Sequence, residues 1–165
     1  MDMKNEQDLK LNFKMAQIAK ISEQVQLKCS GHKFYDFFTN KMDSVIQMFP
    51  HIVTSYKILE GNGFAHGSVI HLKYNIGGPA EIKERLAFDD ANKSIAFEVF
   101  EGDLFRDFEV FKMKMQVINE KGSNGSSVNW SIEFVKENED VAAPHHYLTI
   151  AAQSSKTLDD YLCNN

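Results

Sequence analysis

Residues 68–101 read SVIHLKYNIGGPAEIKERLAFDDANKSIAFEVFE, and this stretch decides the fold. Three segments alternate within it. Ile70, Leu72 and Tyr74 share a face of the first, Ile82, Leu86 and Phe88 of the second, and Ile95, Phe97 and Val99 of the third. A period of two marks strands with one buried face. Gly77-Gly78-Pro79 and Asp89-Asp90-Ala91-Asn92 separate them, links too short for a parallel crossover, so successive strands run antiparallel.

The pattern continues outward on both sides. Ile52 to Glu60 is a strand ended by Gly61-Asn62-Gly63, and Asp107 to Asn119 sets Phe111, Met113, Met115 and Val117 on one face. After Gly122-Ser123-Asn124-Gly125 a last strand turns Val128, Trp130, Ile132 and Phe134 inward. Near the start Ala19, Ile21, Val25 and Leu27 share a face, with Glu23 among them. Phe34, Phe37, Phe38, Val45, Ile46 and Phe49 recur at helical offsets, and Lys41-Met42-Asp43 interrupts them, which predicts two short helices stopped by Pro50. From Pro144, a residue suited to a first helical turn, Tyr147, Ile150, Ala151, Ser154, Leu158 and Tyr161 recur at steps of three and four. That is one amphipathic helix of about five turns.

The fold class that follows is α+β: a seven-stranded curved antiparallel sheet around a long C-terminal helix, with two short helices between strands one and two. A single helix must cover the apolar face of the whole sheet. Its small residues Ala151, Ser154 and Ser155 leave space there, so an interior cavity lined by Phe, Met and Tyr is expected. The candidate ligand-binding residues are those of inward parity. On the sheet they are Tyr56, Ile70, Leu72, Tyr74, Ile82 and Leu86, then Phe97, Val99, Glu101, Phe111, Met113 and Met115, and finally Trp130 and Ile132. The helix adds His146, Tyr147, Ile150 and Ser154, with His146 expected at the pocket mouth. Glu84 also has inward parity. A carboxyl group in an apolar cavity has its pKa raised by desolvation, which suits acid–base work, so Glu84 and Glu101 are the two base candidates.

Composition narrows the function. The chain has 165 residues, 43% hydrophobic and 25% charged, with a formal charge of −5. Those values fit a globular domain and argue against nucleic acid or an anionic membrane as partner. No apolar run approaches a membrane span, and residues 1–14 lack the apolar core of a secretory signal. They read as a flexible extension preceding one domain, 15–165. Cys29 and Cys163, near opposite ends, read as free thiols in a reducing cytoplasm. The six His make no H-x-x-x-H pair, and the glycine loop lacks phosphate-binding spacing, so no metal and no cofactor are expected.

The element order, the loop Gly61-Asn62-Gly63-Phe64-Ala65-His66-Gly67 and the run Glu101-Gly102-Asp103-Leu104 resemble the plant major latex proteins. These belong to the birch-pollen-allergen superfamily, related to START-type lipid-binding domains. Lys57-Ile58-Leu59-Glu60 before the loop, Ser68-Val69 after it and Asp89 through Ser94 add to the resemblance, which runs from Met15 to the C-terminus. It implies the helix-grip fold. It also implies a cytosolic carrier or reservoir of a hydrophobic or amphipathic plant metabolite (a sterol, hormone or specialised metabolite), linked to defence or stress. A few relatives catalyse steps of alkaloid pathways, so a cavity isomerase or cyclase is the alternative. Phe64-Ala65-His66 stands where allergen-type relatives have a Gly-Gly-Pro centre.

Overall fold

The computed structural model describes residues 3–119 and 125–164, with the side chains of 11–16 left out of the description. Helix α1 spans Met3–Ala16, strand β1 Ala19–Leu27, and helices α2 and α3 Gly31–Asn40 and Met42–Met48. Strands β2 (Val53–Glu60), β3 (Val69–Asn75), β4 (Pro79–Asp89) and β5 (Ser94–Gly102) follow. A 3₁₀ turn at Asp103–Arg106 leads into β6 (Phe108–Asn119), β7 (Ser126–Lys136) and helix α4 (His145–Cys163). Of the turn expected before β7, Gly122, Ser123 and Asn124 lie outside the described residues.

The strands form one antiparallel sheet in the order β1-β7-β6-β5-β4-β3-β2. Strands β1 and β2, consecutive in the chain, therefore lie at opposite edges. The α2–α3 segment that joins them has to reach from one edge to the other, which makes it a wall of the interior. Register shifts between β2 and β3, β4 and β5, and β6 and β7 add the local bends that curve the sheet. Ile70, Leu86, Ile95, Met115, Val128 and Ile132 form its fully buried inner surface.

Residues Met3–Ala16 form a helix, whose described side chains from Met3 to Lys10 are exposed. Two expectations change. Glu23 does share a face with Trp130, its partner across the β1–β7 ladder, but β1 is an edge strand and Glu23 is exposed there. Glu101 points away from the interior. Glu84 pairs with Val99 while Lys83 pairs with Glu101, so Phe100 is an extra residue in β5 and reverses the parity beyond it. On the outer face Glu101 meets the Lys83 ammonium at 3.1 Å. Gly102 completes the bulge at φ +122°, where a Cβ would run into the backbone of Glu81 and Ile82.

The C-terminal helix is tied down by a buried carboxylate. Asp159 Oδ2 accepts the Lys28 backbone N–H at 2.8 Å, and Oδ1 accepts that of Cys29 at 3.0 Å. The Lys33 ammonium donates to the Leu162 carbonyl at 2.6 Å, near the helix end. Burial opposes the Asp159 charge, but these N–H donors and the Cys29 thiol outweigh it and hold the carboxyl below its ordinary range. The same junction brings Cys29 and Cys163, far apart in sequence, together with Asp159, all three ligand atoms within 4.8 Å of one another. Asp159→Ala leaves two amide donors without an acceptor at a buried junction. Its expected cost is about 2–3 kcal/mol in urea unfolding, and a change below ~0.5 kcal/mol would show that α4 is held by packing alone.

Candidate functional site

Between α4, the α2–α3 wall and the inner face of the sheet lies a cavity of about 230 Å³. It exists because the elements facing each other differ in size. The sheet supplies Leu72, Ile82, Phe97, Val99, Phe111 and Met113, while the helix opposite supplies Ala151, Ser154 and Ser155 at its centre. No side chain from the helix reaches far enough to fill the space between them.

Of the residues read from the sequence, the structure brings Leu72, Tyr74, Ile82, Phe97, Val99, Phe111, Met113, Trp130, Tyr147, Ile150 and Ser154 together on the cavity wall. Ile70, Leu86, Met115 and Ile132 also face inward, but they belong to the solid core, each 1% exposed or less. Tyr56 is 37% exposed near the sheet edge, its ring 5.0 Å from that of Phe64. Glu101 is outside, for the reason already given. His146 is exposed, its ring tilted at 56° to that of Tyr147 with the centroids 4.7 Å apart, and lines a second and more polar cleft beside Gly77, Asp103 and Arg106.

Parity along strands could not find the rest of the wall. Phe38, Met42, Val45, Ile46 and Phe49 come from α2, α3 and the turn that follows. Their helical spacing was visible, yet only the edge-to-edge crossing of this segment turns that spacing into a cavity wall. Phe64 comes from the glycine loop and Leu104 from the 3₁₀ turn.

Four polar side chains of the wall pair with one another. The Trp130 indole N–H donates to Ser155 Oγ at 2.8 Å, and the Tyr74 and Tyr147 hydroxyls share a hydrogen bond of 2.8 Å. Burial first, and then that shared bond, push the Tyr74 phenol above its ordinary value; burial does the same to Tyr147. Glu84 is the one charged group of the lining. Its side chain is on the wall and 8% exposed, and among the described residues it has no hydrogen-bond or ion-pair partner. Burial alone pushes its carboxyl from 4.5 up to about 7. The lining contains no Lys, Arg or His to oppose it.

Comparison with known proteins agrees with this architecture. The pathogenesis-related protein Bet v 1 family matches residues 16–165. Major latex protein 149 of Papaver somniferum is 31% identical over 147 residues, covering 88% of this chain and 92% of that protein. The chain belongs to the Bet v 1 family, in its major latex protein branch. MLP-like protein 34 of Arabidopsis thaliana is 35% identical over 144 residues, 86% of this chain, which spans 46% of that longer relative. The crystal structure of ginseng major latex-like protein 151 from Panax ginseng superposes with a TM-score of 0.79 at 28% identity, covering 88% of this chain and 97% of that one. The helix-grip fold expected from the resemblance is therefore the observed one. Norcoclaurine synthase from Thalictrum flavum, in complex with dopamine and hydroxybenzaldehyde, has a TM-score of 0.70 at 14% identity, over 90% of this chain and 91% of that one. At that identity the likeness is one of fold.

Glu84 makes stability depend on pH in a definite direction. Below pH 4.5 both folded and unfolded chains hold its proton, and the group contributes nothing. Between 4.5 and about 7 the unfolded chain ionises first, so stability falls as pH rises, and the deficit levels off above 7. Glu84→Gln carries no such proton. It is expected to match the parent protein at pH 4 and to exceed it by about 3 kcal/mol at pH 8 in denaturant unfolding; equal stability at both pH values would mean that Glu84 is solvated.

Proposed function

We propose that the protein holds or carries a hydrophobic or amphipathic small molecule, of the plant sterol, hormone or specialised-metabolite kind, in its internal cavity. The supporting observation is the cavity itself, a space of about 230 Å³ lined by aliphatic, aromatic and Met side chains. A void of that kind forfeits dispersion contacts along its whole lining, and a ligand restores them while removing its own apolar surface from water, worth about 25 cal/mol per Å² before ordering costs. Met42 and Met113 are flexible and polarisable, so the wall can adapt to more than one shape. Membership of a family described as pathogenesis-related supports a role in defence or stress. Among the described residues no helix is long and apolar enough to cross a membrane. A cytoplasmic location suits two cysteines that are free, one buried and one exposed.

A cavity enzyme is the second reading, and one observation favours it. A carboxyl with its pKa raised to about 7 is poised to accept or donate a proton at neutral pH. Turnover of a bound small molecule, lost in Glu84→Gln, would establish this reading over the carrier.

The single Trp of the chain, Trp130, lies on the cavity wall and reports its occupancy. Titration with N-phenyl-1-naphthylamine, a neutral apolar fluorophore, is expected to show saturable one-to-one binding with energy transfer from Trp130. Ser154→Phe places a ring in the space and is expected to weaken that binding at least tenfold while the protein stays folded. Absence of binding, or binding indifferent to the added ring, would defeat the carrier reading.

A further inference from the structure

We propose that the cavity selects ligands carrying a protonated amine on an apolar body, with Glu84 as the group that receives the ammonium. The inference rests on the carrier reading and adds the chemical class of its cargo.

The argument starts from what each polar group on the wall already does. Trp130 donates to Ser155, and Tyr74 and Tyr147 share one hydrogen bond. The hydroxyls that remain, Ser154 among them, are neutral and serve an alcohol or an amine alike, so Glu84 is the one charged group of the lining. Glu84 stands on β4 between Ile82 and Leu86, opposite Ile70 on β3 and Val99 on β5, in an apolar stretch of the sheet. It is buried, it lines the space, and the described residues offer it no donor. A carboxyl set in an apolar wall with no donor beside it is poorly compensated, since burial penalises its charged form and its oxygens face only the cavity space. Lys83 and Arg85, its chain neighbours, point to the outer face, where they meet Glu101 and Glu60. Among the described residues nothing carries a cation to Glu84, so the missing partner is one that arrives with the ligand.

Three ligand chemistries answer differently. A neutral alcohol gives the carboxylate one hydrogen bond and no countercharge. An ammonium gives a hydrogen bond and an opposite charge in a region of low dielectric, a gain that exceeds the cost of its own desolvation only because Glu84 is otherwise uncompensated. A carboxylate ligand meets a like charge that no wall residue offsets. The order of preference is therefore amine, alcohol, acid, with amine over alcohol by about tenfold. Where the ligand is an amine, the cost of burying Glu84 in the empty protein becomes selectivity in the complex.

The test uses three probes of one skeleton, 1-naphthylmethylamine, 1-naphthalenemethanol and 1-naphthoate, as competitors of N-phenyl-1-naphthylamine on the full chain at pH 8. The parent protein is expected to favour the amine over the alcohol by about tenfold and to discriminate most strongly against the acid. Glu84→Gln should bring the amine-to-alcohol ratio to within twofold of one. Glu98→Gln, which removes an exposed carboxyl paired with Lys112 on the outer face, should keep the parent ratio. Equal displacement by amine and alcohol while the fluorophore binds would overturn the amine inference and leave the carrier reading standing. A preference that persists in Glu84→Gln would also overturn it. Failure of the fluorophore to bind the parent protein would instead remove the carrier reading beneath it.

Discussion

One helix has to cover the inner face of seven strands, and the rest of the structure is arranged around that mismatch. Helix α4 has 19 residues. Toward its C-terminal end the Asp159 carboxylate bonds the backbone where β1 gives way to α2, and near the other end Tyr147 shares a hydrogen bond with Tyr74 of β3. Held at both ends, the helix spans the concave sheet and cannot sink into it. Its central residues are small, so the interior between them and the sheet stays open. A protein interior is ordinarily packed as densely as an organic crystal. Space left beneath a helix this firmly anchored is a property of the architecture, and it is what the fold offers to a ligand.

The same arrangement sorts the polar groups. Pairs that lie across the cavity, Trp130 with Ser155 and Tyr74 with Tyr147, join sheet to helix and stabilise the walls. Among the described residues Glu84 has no counterpart, because the helix residues facing the space carry no cation, and the lysine and arginine beside it in sequence emerge on the other side of the strand. Strand alternation thus separates a carboxyl from the neighbours that would have neutralised it. The consequence is a cavity that is apolar almost throughout and acidic at one point.

Much of this was legible in the sequence because alternation reports directly on which face a strand residue occupies. The seven strands, the two short helices and the C-terminal helix follow from periodicity and turn residues, and so do the eleven predicted residues that meet on the cavity wall. Parity fails where one residue is added. Phe100 enters β5 as a bulge and sends Glu101 outward, and no local signal distinguishes that strand from a regular one. Parity also gives direction without depth: Ile70, Leu86, Met115 and Ile132 face inward but pack into solid core. The contributions of α2, α3 and Phe64 depend on topology, since the crossing from β1 to β2 is fixed by strand order and not by any property of the helices themselves. The meeting of Cys29 and Cys163 is of the same kind.

The claim at the centre is that a ligand occupies the space beneath α4. Methyl NMR of protein labelled at Ile and Met, titrated with N-phenyl-1-naphthylamine, addresses it most directly. A ligand in the cavity gives intermolecular NOEs to the methyl groups of Met42, Ile82, Met113 and Ile150, and none to Ile70, Met115 or Ile132 in the closed core. NOEs confined to exposed methyl groups such as that of Ile118 would place binding on the surface and contradict the account.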